Sequence, residues 1–482
     1  MAGADLDARV NSVGSLAAAS ALYGVRNGET TMDSERNKFT GRASRYARVG
    51  GNMTGVAAKM LGARLMGGAQ DHDRNAAEIT KALGNLKGPL MKVAQLLSTI
   101  PDALPPEYAA ELATLQSDAP PMGYPFVKRR MAAELGPNWL QRFAAFEKAP
   151  AAAASLGQVH RARTPDGRDV ACKLQYPNMD SAIEADLKQL GFVFQLHKRM
   201  RSGIDTSQIN AEIADRLREE LDYAHEAQAA KLYAITFADD PTVRVPAVVD
   251  DLSTRRLLTL DWLEGRRLLD YKDAPLEVRN RIAKALFRAY WHPFADIAVI
   301  HGDPHLGNYT VFEDDGEARG INLLDYGCIR IFPPSFAGGV IDLYEGLLHG
   351  DEARVVHAYE VWGFKGLSRE LIDVLNIWAR FIYGPLLEDR VRSLADGTKP
   401  GEYGRREAFS VHKMLKEKGP VTVPREFVFM DRAAIGLGAV LLHLGAELNF
   451  YEIFQAELAA SPREGQAARQ AAALAASGLA PA

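Results

Sequence analysis

The spacing of hydrophobic and polar residues divides the chain into three regions of different character. Apolar residues recur at helical spacing over residues 75–97 and 106–116, and this pattern ends at Asp-Ala-Pro-Pro over residues 118–121. Near residue 150 the pattern changes to short stretches typical of strands. From residue 276 it is mainly helical again, apart from strand-like sequence around residues 300–325. We therefore expect helices, then a small mixed lobe, then a mostly helical lobe.

The best-defined strands are predicted at residues 158–163 and 169–176. The five residues between them are Thr-Pro-Asp-Gly-Arg, in which proline, aspartate and glycine each favour a tight turn. The two strands therefore predict a β-hairpin. A helix is predicted over residues 209–237, and further strands are predicted at residues 243–249 and 256–263.

The two ends of the chain and one basic stretch lack the pattern of a packed core. Residues 1–40 are mostly small and polar, and residues 456–482 are rich in alanine, so both are predicted to be loosely held. Residues 36–70 contain seven Lys or Arg residues and no Asp or Glu, with apolar residues at mostly helical spacing. This segment is either a surface helix packed on the fold or a contact with an anionic membrane surface.

Composition is that of an ordinary globular protein with a large core. The 482 residues are 47% hydrophobic and 24% charged, and the net charge of −4 argues against a bulk nucleic-acid binder. With only two cysteines, a multi-disulfide secreted scaffold and a cysteine-based zinc ribbon are excluded, and the cytoplasm is the expected compartment. The apolar run 433–446 is shorter than the roughly 20 residues of a membrane span, which predicts a buried helix. No signal peptide or transmembrane segment is predicted.

The most informative run extends from His301 to Asn308 and is followed by Asp-Tyr-Gly beginning at Asp325. Asn308 and Asp325 offer the oxygen ligands that Mg²⁺ prefers, while Asp303 is placed to orient or deprotonate a nucleophile. This set of residues is what phosphoryl transfer from a metal nucleotide requires. A transition-metal site at His301 and His305 is an alternative that the kinase-type spacing disfavours.

Lys173 lies on the second strand of the predicted hairpin, where a kinase-like fold places the lysine that contacts the α- and β-phosphates. The loop over residues 152–159 fits the glycine-rich phosphate-loop template with alanine at the first two glycine positions. Alanine restricts positive φ, so nucleotide handling is expected to differ from that of an ordinary kinase. The predicted nucleotide contacts are Ala152, Ala153, Ala154, Ser155, Gly157, Val159, Lys173, Asp261 and Leu263.

The lysine also requires a carboxylate from a helix. Glu220 is the predicted catalytic partner, and Glu219 and Glu226 remain alternatives. The hinge is predicted at residues 260–263, with backbone groups of Asp261 and Leu263 contacting adenine. Trp262 is either a core residue or a residue that stacks on the ligand.

Two cysteines flank these predicted site residues. Cys172 precedes the lysine, and Cys328 follows the Asp-Tyr-Gly motif. Either they sense redox state or they are small buried hydrophobic residues, and the second interpretation is favoured.

Taken together, these motifs resemble the UbiB/AarF family of atypical protein-kinase-like proteins, over roughly residues 41–454. The motifs are the alanine-rich loop 151–155, Val-Ala-Cys-Lys with Gln-Tyr-Pro at 175–177, the pair Glu184 and Asp186, Glu-Leu-Asp-Tyr at 220–223, the run 301–308, and Asp-Tyr-Gly at 325–327. The resemblance implies an α+β, protein-kinase-like two-lobed fold with an N-terminal helical extension folded over the nucleotide cleft. The family's Lys-x-Gly-Gln motif corresponds to Lys92 and Gln95, with Ala94 replacing glycine. Glu184 and Asp186 would belong to an insert that contacts this extension.

The resemblance divides the chain into five parts. They are a flexible segment (1–40), a helical extension carrying Lys-x-Ala-Gln (41–140), a kinase-like small lobe with an insert (141–265), a mostly helical large lobe (266–455) and an alanine-rich tail (456–482).

The implied function is that of an atypical kinase or ATPase that uses ATP or ADP with Mg²⁺. The family's best-known members support ubiquinone biosynthesis, so the implied partners are quinone-biosynthesis proteins or a small lipid-like acceptor, at the inner face of a membrane, and no nucleic acid. A homodimer is compatible with the sequence. Two alternatives remain: a small-metabolite or antibiotic phosphotransferase, which shares the His-Gly-Asp-x-x-x-x-Asn run, and a non-catalytic scaffold switched by nucleotide.

Overall fold

The computed structural model describes residues 122–154, 156–177, 179–181, 183–184, 187, 214–215, 217–394 and 425–480. Several predicted residues lie outside this part of the chain, namely Lys92 and Gln95 of the extension, Ser155 of the alanine-rich loop, Asp186 of the insert, and the basic segment 36–70.

The described residues form two lobes. The small lobe contains helices α1 (Tyr124–Leu135) and α2 (Tyr223–Thr236) and strands β1 (Ala145–Phe146), β2 (Ala152–Ala154), β3 (Gly157–Arg163), β4 (Asp169–Gln175) and β6 (Leu257–Asp261). The large lobe contains helices α3 (Leu276–Ile297), α4 (Pro334–His349), α5 (Glu352–Val361), α6 (Arg369–Tyr383), α7 (Arg425–Leu444), α8 (Phe450–Ala460) and α9 (Gln466–Ser477) and strands β5 (Val243–Arg244), β7 (Arg266–Arg267), β8 (Val299–His301), β9 (Tyr309–Asp314), β10 (Glu317–Leu323), β11 (Ile329–Ile331), β12 (Arg392–Ser393) and β13 (Glu447–Leu448).

The small-lobe sheet has the strand order β1-β3-β4-β6, and β2 also pairs with β3. The predicted hairpin is confirmed: β3 and β4 pair antiparallel in a register that runs from Gly157 opposite Gln175 to Arg163 opposite Asp169. The turn closes with Gly167 at a φ of +89°, a conformation that glycine adopts without steric cost. Helix α1 covers one face of the sheet and buries Val127 and Met131 there.

Two of the predicted strands are shorter in the structure. Residues 243–249 form only the short β5, which pairs in parallel with β10, while the predicted 256–263 strand is the five-residue β6. After β5 the apolar pattern continues because Val245 and Val248 are half-buried against the core, and Val248 forms only an isolated bridge with Leu260.

The predicted helix over 209–237 is interrupted before α2. Residues 217–219 are helical, residues 220–221 form a turn, and α2 then begins at Tyr223. Asp222 is the N-cap of α2, since its carboxylate accepts hydrogen bonds from the backbone N–H groups of Ala224 and His225. The cap therefore places Glu226 within the first turns of the helix and leaves Glu220 outside it.

The large lobe is built around α3, whose buried face includes Leu286, Phe287 and Tyr290. Helix α7 contains the apolar run 433–446 up to Leu444 and buries Ala433 and Leu437, which confirms the predicted core helix. No helix in the described ranges is long and apolar enough to cross a membrane.

The prediction of a loosely held C-terminal tail is wrong for residues 466–477. These residues form α9, in which Gln466 is 2% exposed and Leu474 is 1% exposed. Leu474 belongs to the same hydrophobic core as Ala230 and Tyr233 of α2. The alanine-rich composition did not exclude an ordered helix, because alanine has high helix propensity. A few larger residues on one face are enough to bury such a helix.

The close contact between the hairpin and α2 gives the first test. A Cβ atom on Gly157 would lie 2.3 Å from the carbonyl oxygen of Leu174 and 2.8 Å from Tyr223 Oη. We expect Gly157→Ala to lower the free energy of unfolding by about 1–3 kcal/mol, because the backbone atom cannot move aside without distorting the sheet. Urea denaturation measures this loss.

Gly123→Ala is the matched control. Its Cβ would meet only Pro125 Cδ, at the ordinary contact distance of 3.6 Å, so the change should stay within about 0.5 kcal/mol. Equal stabilities of the two variants would contradict the proposed close contact at Gly157.

Candidate functional site

The centre of the candidate site is Lys173, in the middle of β4 between the neighbouring strands β3 and β6. Its Nζ atom lies 2.6 Å from Oε1 of Glu226 and 3.2 Å from Oδ2 of Asp325. Glu226 comes from α2, and Asp325 follows β10. The lysine therefore joins the small-lobe sheet, helix α2 and the Asp-Tyr-Gly segment at one point.

The prediction of Glu220 as the partner of Lys173 is wrong, and the alternative Glu226 is in contact instead. Because α2 begins at Tyr223, Glu220 lies in the turn before the helix, while Glu226 projects from it toward the sheet. The other alternative, Glu219, pairs with Arg330 of β11 at 3.1 Å. The N-cap signal of Asp222 in the sequence could have identified the helix start, and with it Glu226.

Two carboxyl groups, those of Glu226 and Asp325, influence the charge of Lys173. Burial by itself would lower the pKa of Lys173, but the carboxylates of Asp325 and Glu226 outweigh it and raise that pKa well above its usual value. Burial also raises the pKa of Glu226, although Lys173 acts in the opposite direction. The ammonium form of Lys173 is thus favoured. One ammonium group thus faces two carboxyl groups, those of Glu226 and Asp325.

His301 holds the Asp-Tyr-Gly segment in place. Its Nε2 donates to the carbonyl oxygen of Asp325 at 2.7 Å, and its Nδ1 accepts from the backbone N–H of Asp303 at 3.3 Å. With both ring nitrogens bonded to backbone groups and the ring buried, His301 is not placed to bind a metal. The transition-metal alternative is therefore not supported at this residue.

The predicted Mg²⁺ ligands have suitable oxygen atoms. The Asn308 amide donates through Nδ2 to the carbonyl oxygen of Asp303 at 2.9 Å, which leaves its Oδ1 as the acceptor end. Asp325 accepts from the Gly327 N–H through Oδ1 and is 35% exposed at its side chain. A carboxylate and an amide oxygen suit a hard divalent cation, so the residues present fit Mg²⁺ with a nucleotide.

Aromatic rings connect these polar residues to the core. The ring of Tyr233 on α2 packs against Tyr326 with centroids 5.7 Å apart and against His301 at 6.4 Å. Tyr326 is fully buried and donates to the carbonyl oxygen of Leu323 at 2.6 Å. Helix α2, the Asp-Tyr-Gly segment and the strand carrying His301 are therefore packed against one another. No signal in the sequence distinguishes Tyr233, because an aromatic residue in a helix is most often part of a core.

The alanine-rich loop forms β2, where Ala154 lies opposite Gly157 and Ala152 opposite Val159. None of the three alanines has a positive φ. The strand conformation thus accommodates alanine without strain, and the loop keeps its backbone beside β3.

The predicted hinge, residues 260–263, begins in the last two residues of β6 and continues beyond the strand. The backbone N–H groups of Asp261 and Trp262 bond to the carbonyl oxygens of Ala247 and Asp169. Among the described residues the N–H of Leu263 donates to no backbone carbonyl, so it is compatible with an adenine contact. Trp262 packs under the guanidinium of Arg161, 4.8 Å from the ring centroid.

Neither cysteine has the surroundings of a redox sensor. Both are buried, and burial raises the pKa of the Cys172 thiol to about 12. A thiol with this pKa is protonated at neutral pH and therefore a poor nucleophile, which favours the interpretation as a buried hydrophobic residue.

Of the two acidic residues predicted to belong to an insert, Glu184 lies among the described residues. It pairs with Arg218 at 2.9 Å on an exposed surface.

Comparison with known proteins identifies the family to which this chain belongs. The model of the ABC1 atypical kinase-like domain matches residues 114–359. The chain belongs to the ABC1 atypical kinase-like family. This assignment confirms the resemblance to the UbiB/AarF proteins and the kinase-like α+β fold.

Individual relatives of this ABC1 chain show how far the similarity extends. The mitochondrial atypical kinase COQ8B of Rattus norvegicus is 30% identical over 87% of this chain and 81% of its own length. The mitochondrial atypical kinase COQ8 of Saccharomyces cerevisiae is 32% identical over 55% of this chain, and the match spans about half (52%) of the yeast protein. Among solved structures, the complex of Rv3197 with erythromycin from Mycobacterium tuberculosis has a TM-score of 0.54 and 28% identity, and covers 82% of this chain and 97% of that chain.

The ion pair of Lys173 and Glu226 in this ABC1 chain gives the second test. Glu226→Gln keeps the side-chain shape but removes the buried carboxylate that pairs with Lys173. We therefore expect it to reduce the free energy of unfolding by about 2 kcal/mol. Glu220→Gln, the matched control in the preceding turn, should reduce it by less than about 1 kcal/mol. Guanidinium denaturation compares the two. A larger loss for Glu220→Gln would favour Glu220 as the partner of the lysine.

Proposed function

We propose that this protein binds ATP or ADP with Mg²⁺ in the cleft between the lobes and acts as an atypical kinase or ATPase. The observation that carries the proposal is the contact of Lys173 with both Glu226 and Asp325. A lysine held by a helix carboxylate and facing a metal-binding aspartate is the arrangement that protein kinases need for phosphoryl transfer. Membership of an atypical kinase-like family supports the same conclusion.

Each residue of the site has a role in this proposal. Lys173 contacts the α- and β-phosphates, and Glu226 keeps its ammonium group in position. Asp325 and Asn308 hold Mg²⁺, which supplies positive charge against the phosphate oxygens when it is bound. Asp303 orients the attacking hydroxyl or water and accepts its proton. The alanine-rich loop covers the phosphates with backbone N–H groups, and the hinge groups of Asp261 and Leu263 contact adenine.

We further propose that this activity supports isoprenoid-quinone biosynthesis, as the UbiB/AarF resemblance implies. The acceptor is then a small lipid-like molecule or water, and the partners are quinone-biosynthesis proteins. Peripheral contact with a membrane surface through residues 36–70 fits the basic amphipathic sequence there. A homodimer and a location at the inner face of a membrane are parts of the same proposal.

A second candidate is an antibiotic phosphotransferase. The observation in its favour is the similarity to mycobacterial Rv3197, whose structure was solved as a complex with erythromycin. If this candidate is correct, incubation with ATP, Mg²⁺ and erythromycin yields a phosphorylated macrolide. If the quinone proposal is correct, the macrolide stays unmodified.

The metal site gives the third test. Asp325→Asn removes the charged ligand of Mg²⁺ while the phosphates keep their mutual repulsion, so we expect most Mg²⁺-dependent nucleotide binding to be lost, by about tenfold or more. Thermal-shift titration with ADP or ATP, with and without Mg²⁺, measures this. Asp314→Asn is the control, because Asp314 forms a surface pair with Arg244, and it should bind nucleotide like the wild type. Unchanged stabilisation in Asp325→Asn would place the metal elsewhere.

The quinone proposal is tested in cells. We expect a deletion strain to accumulate a quinone precursor, and the wild-type chain but not Asp325→Asn to restore the quinone pool. Metabolite profiling of the three strains measures this. An unchanged quinone pool in the deletion strain would rule out the proposed pathway while leaving nucleotide binding in place.

A further inference from the structure

Strands β8 and β11 form a two-stranded ribbon that carries both catalytic segments. Ile329 of β11 pairs with His301 of β8 at one end, beyond which lie Asp303 on one strand and the Asp-Tyr-Gly segment on the other. At this end the N–H of Gly302 bonds to the carbonyl oxygen of Cys328 at 2.8 Å. A two-stranded ribbon is only marginally stable by itself, so its position depends on what holds it from outside.

The opposite end of the ribbon meets helix α9. Nε2 of Gln470 donates to the carbonyl oxygen of Ile297 at 2.9 Å and to that of Phe332 at 2.8 Å. Ile297 is the last residue of α3, two residues before β8 begins, and Phe332 directly follows β11. The two N–H groups of one buried amide therefore bridge the two strands at this end of the ribbon, next to the backbone bond from the Phe332 N–H to the carbonyl oxygen of Ala298.

The backbone at this junction is strained. Ala298, between α3 and β8, has a φ of 51° although it is not glycine, and it is fully buried. Left-handed conformations of this kind are unfavourable for alanine and persist only where the surroundings hold them. Here Ala298 caps the end of α3, and its N–H bonds to the carbonyl oxygen of Phe294 at 3.0 Å. The Gln470 bond to the adjacent Ile297 and the bond of 2.9 Å from the Phe332 N–H to the Ala298 carbonyl add to this cap.

Helix α9 also contacts the helix that carries Glu226. Leu474 is buried in the same cluster as Ala229, Ala230 and Tyr233 of α2, and Gly478 lies against Gln228. One helix near the end of the described chain thus contacts α2, the end of α3 and the ribbon. These are the segments that place Glu226, His301, Asp303 and Asp325.

We propose that Gln470 is a positioning residue for the nucleotide site. It acts through the β8–β11 ribbon, and α9 supports the site by holding that ribbon. The proposal rests on the proposed function for its nucleotide readout. Gln470 touches no reacting atom. It sets the distance between the Asp303 segment and the Asp325 segment by holding the far ends of their two strands together.

Gln466 provides a matched control in the same helix. Its Nε2 also donates to two carbonyl oxygens, those of Phe294 at 3.2 Å and Ala295 at 2.8 Å, and it is as buried as Gln470. Both of its acceptors belong to α3, however, so it caps the end of that helix without bridging the ribbon. Replacing either glutamine by methionine keeps the side-chain length and removes the donors.

The experiment compares Gln470→Met and Gln466→Met in the full chain. Hydrogen–deuterium exchange without nucleotide should be about tenfold faster in Gln470→Met than in Gln466→Met for peptides covering 298–303 and 328–333, which corresponds to about 1.4 kcal/mol. Titration of Mg²⁺ at fixed ADP should give a midpoint raised about threefold or more in Gln470→Met and unchanged in Gln466→Met.

Equal exchange in the two variants, or an unchanged Mg²⁺ midpoint in Gln470→Met, overturns the proposal and leaves Gln470 as a structural residue. If wild type itself binds no Mg²⁺-nucleotide, the proposed function fails, while the exchange comparison still decides whether Gln470 holds the ribbon. If Gln470→Met does not fold, Gln470→His retains one donor and should exchange these peptides faster than the wild type does. Wild-type exchange in that variant would contradict the proposal.

Discussion

The rest of the structure depends on the burial of one ammonium group, that of Lys173, which requires carboxylates brought from distant parts of the chain. Glu226 and Asp325 lie 53 and 152 residues away in sequence. An unpaired buried charge would be very unfavourable, so the pairing can form only when the sheet, α2 and the Asp-Tyr-Gly segment are all packed together. The contact at the centre of the candidate site therefore also depends on the correct assembly of the two lobes.

Each element that supplies a charge is fixed by a separate contact. Asp222 sets the start of α2, and His301 holds the carbonyl group of Asp325 from the neighbouring strand. Arg330 pairs with Glu219 and connects β11 to the segment before α2. The geometry of the site is thus distributed over contacts of different kinds, and the packed rings of Tyr233 and Tyr326 join α2 to the Asp-Tyr-Gly segment.

Much of the fold was predictable from local sequence. The hairpin of β3 and β4 follows from strand alternation on both sides of a Pro-Asp-Gly turn, and α7 follows from an apolar run too short to span a membrane. The predicted loose tail failed because composition reports helix propensity but not the core against which Leu474 packs. The prediction of Glu220 failed because three glutamates lie within eight residues, and only the capped start of α2 separates them.

By itself, the sequence determined which residue types could perform the chemistry and where strands and turns begin, because hydrophobic period, turn residues and caps act over a few neighbouring positions. It also identified the kinase-like family, since that rests on motifs with fixed spacing. Only the tertiary structure decided which glutamate meets Lys173, and that Gln470 reaches carbonyl groups 138 and 173 residues away. Such contacts depend on how whole helices pack against one another, and no local propensity specifies that packing.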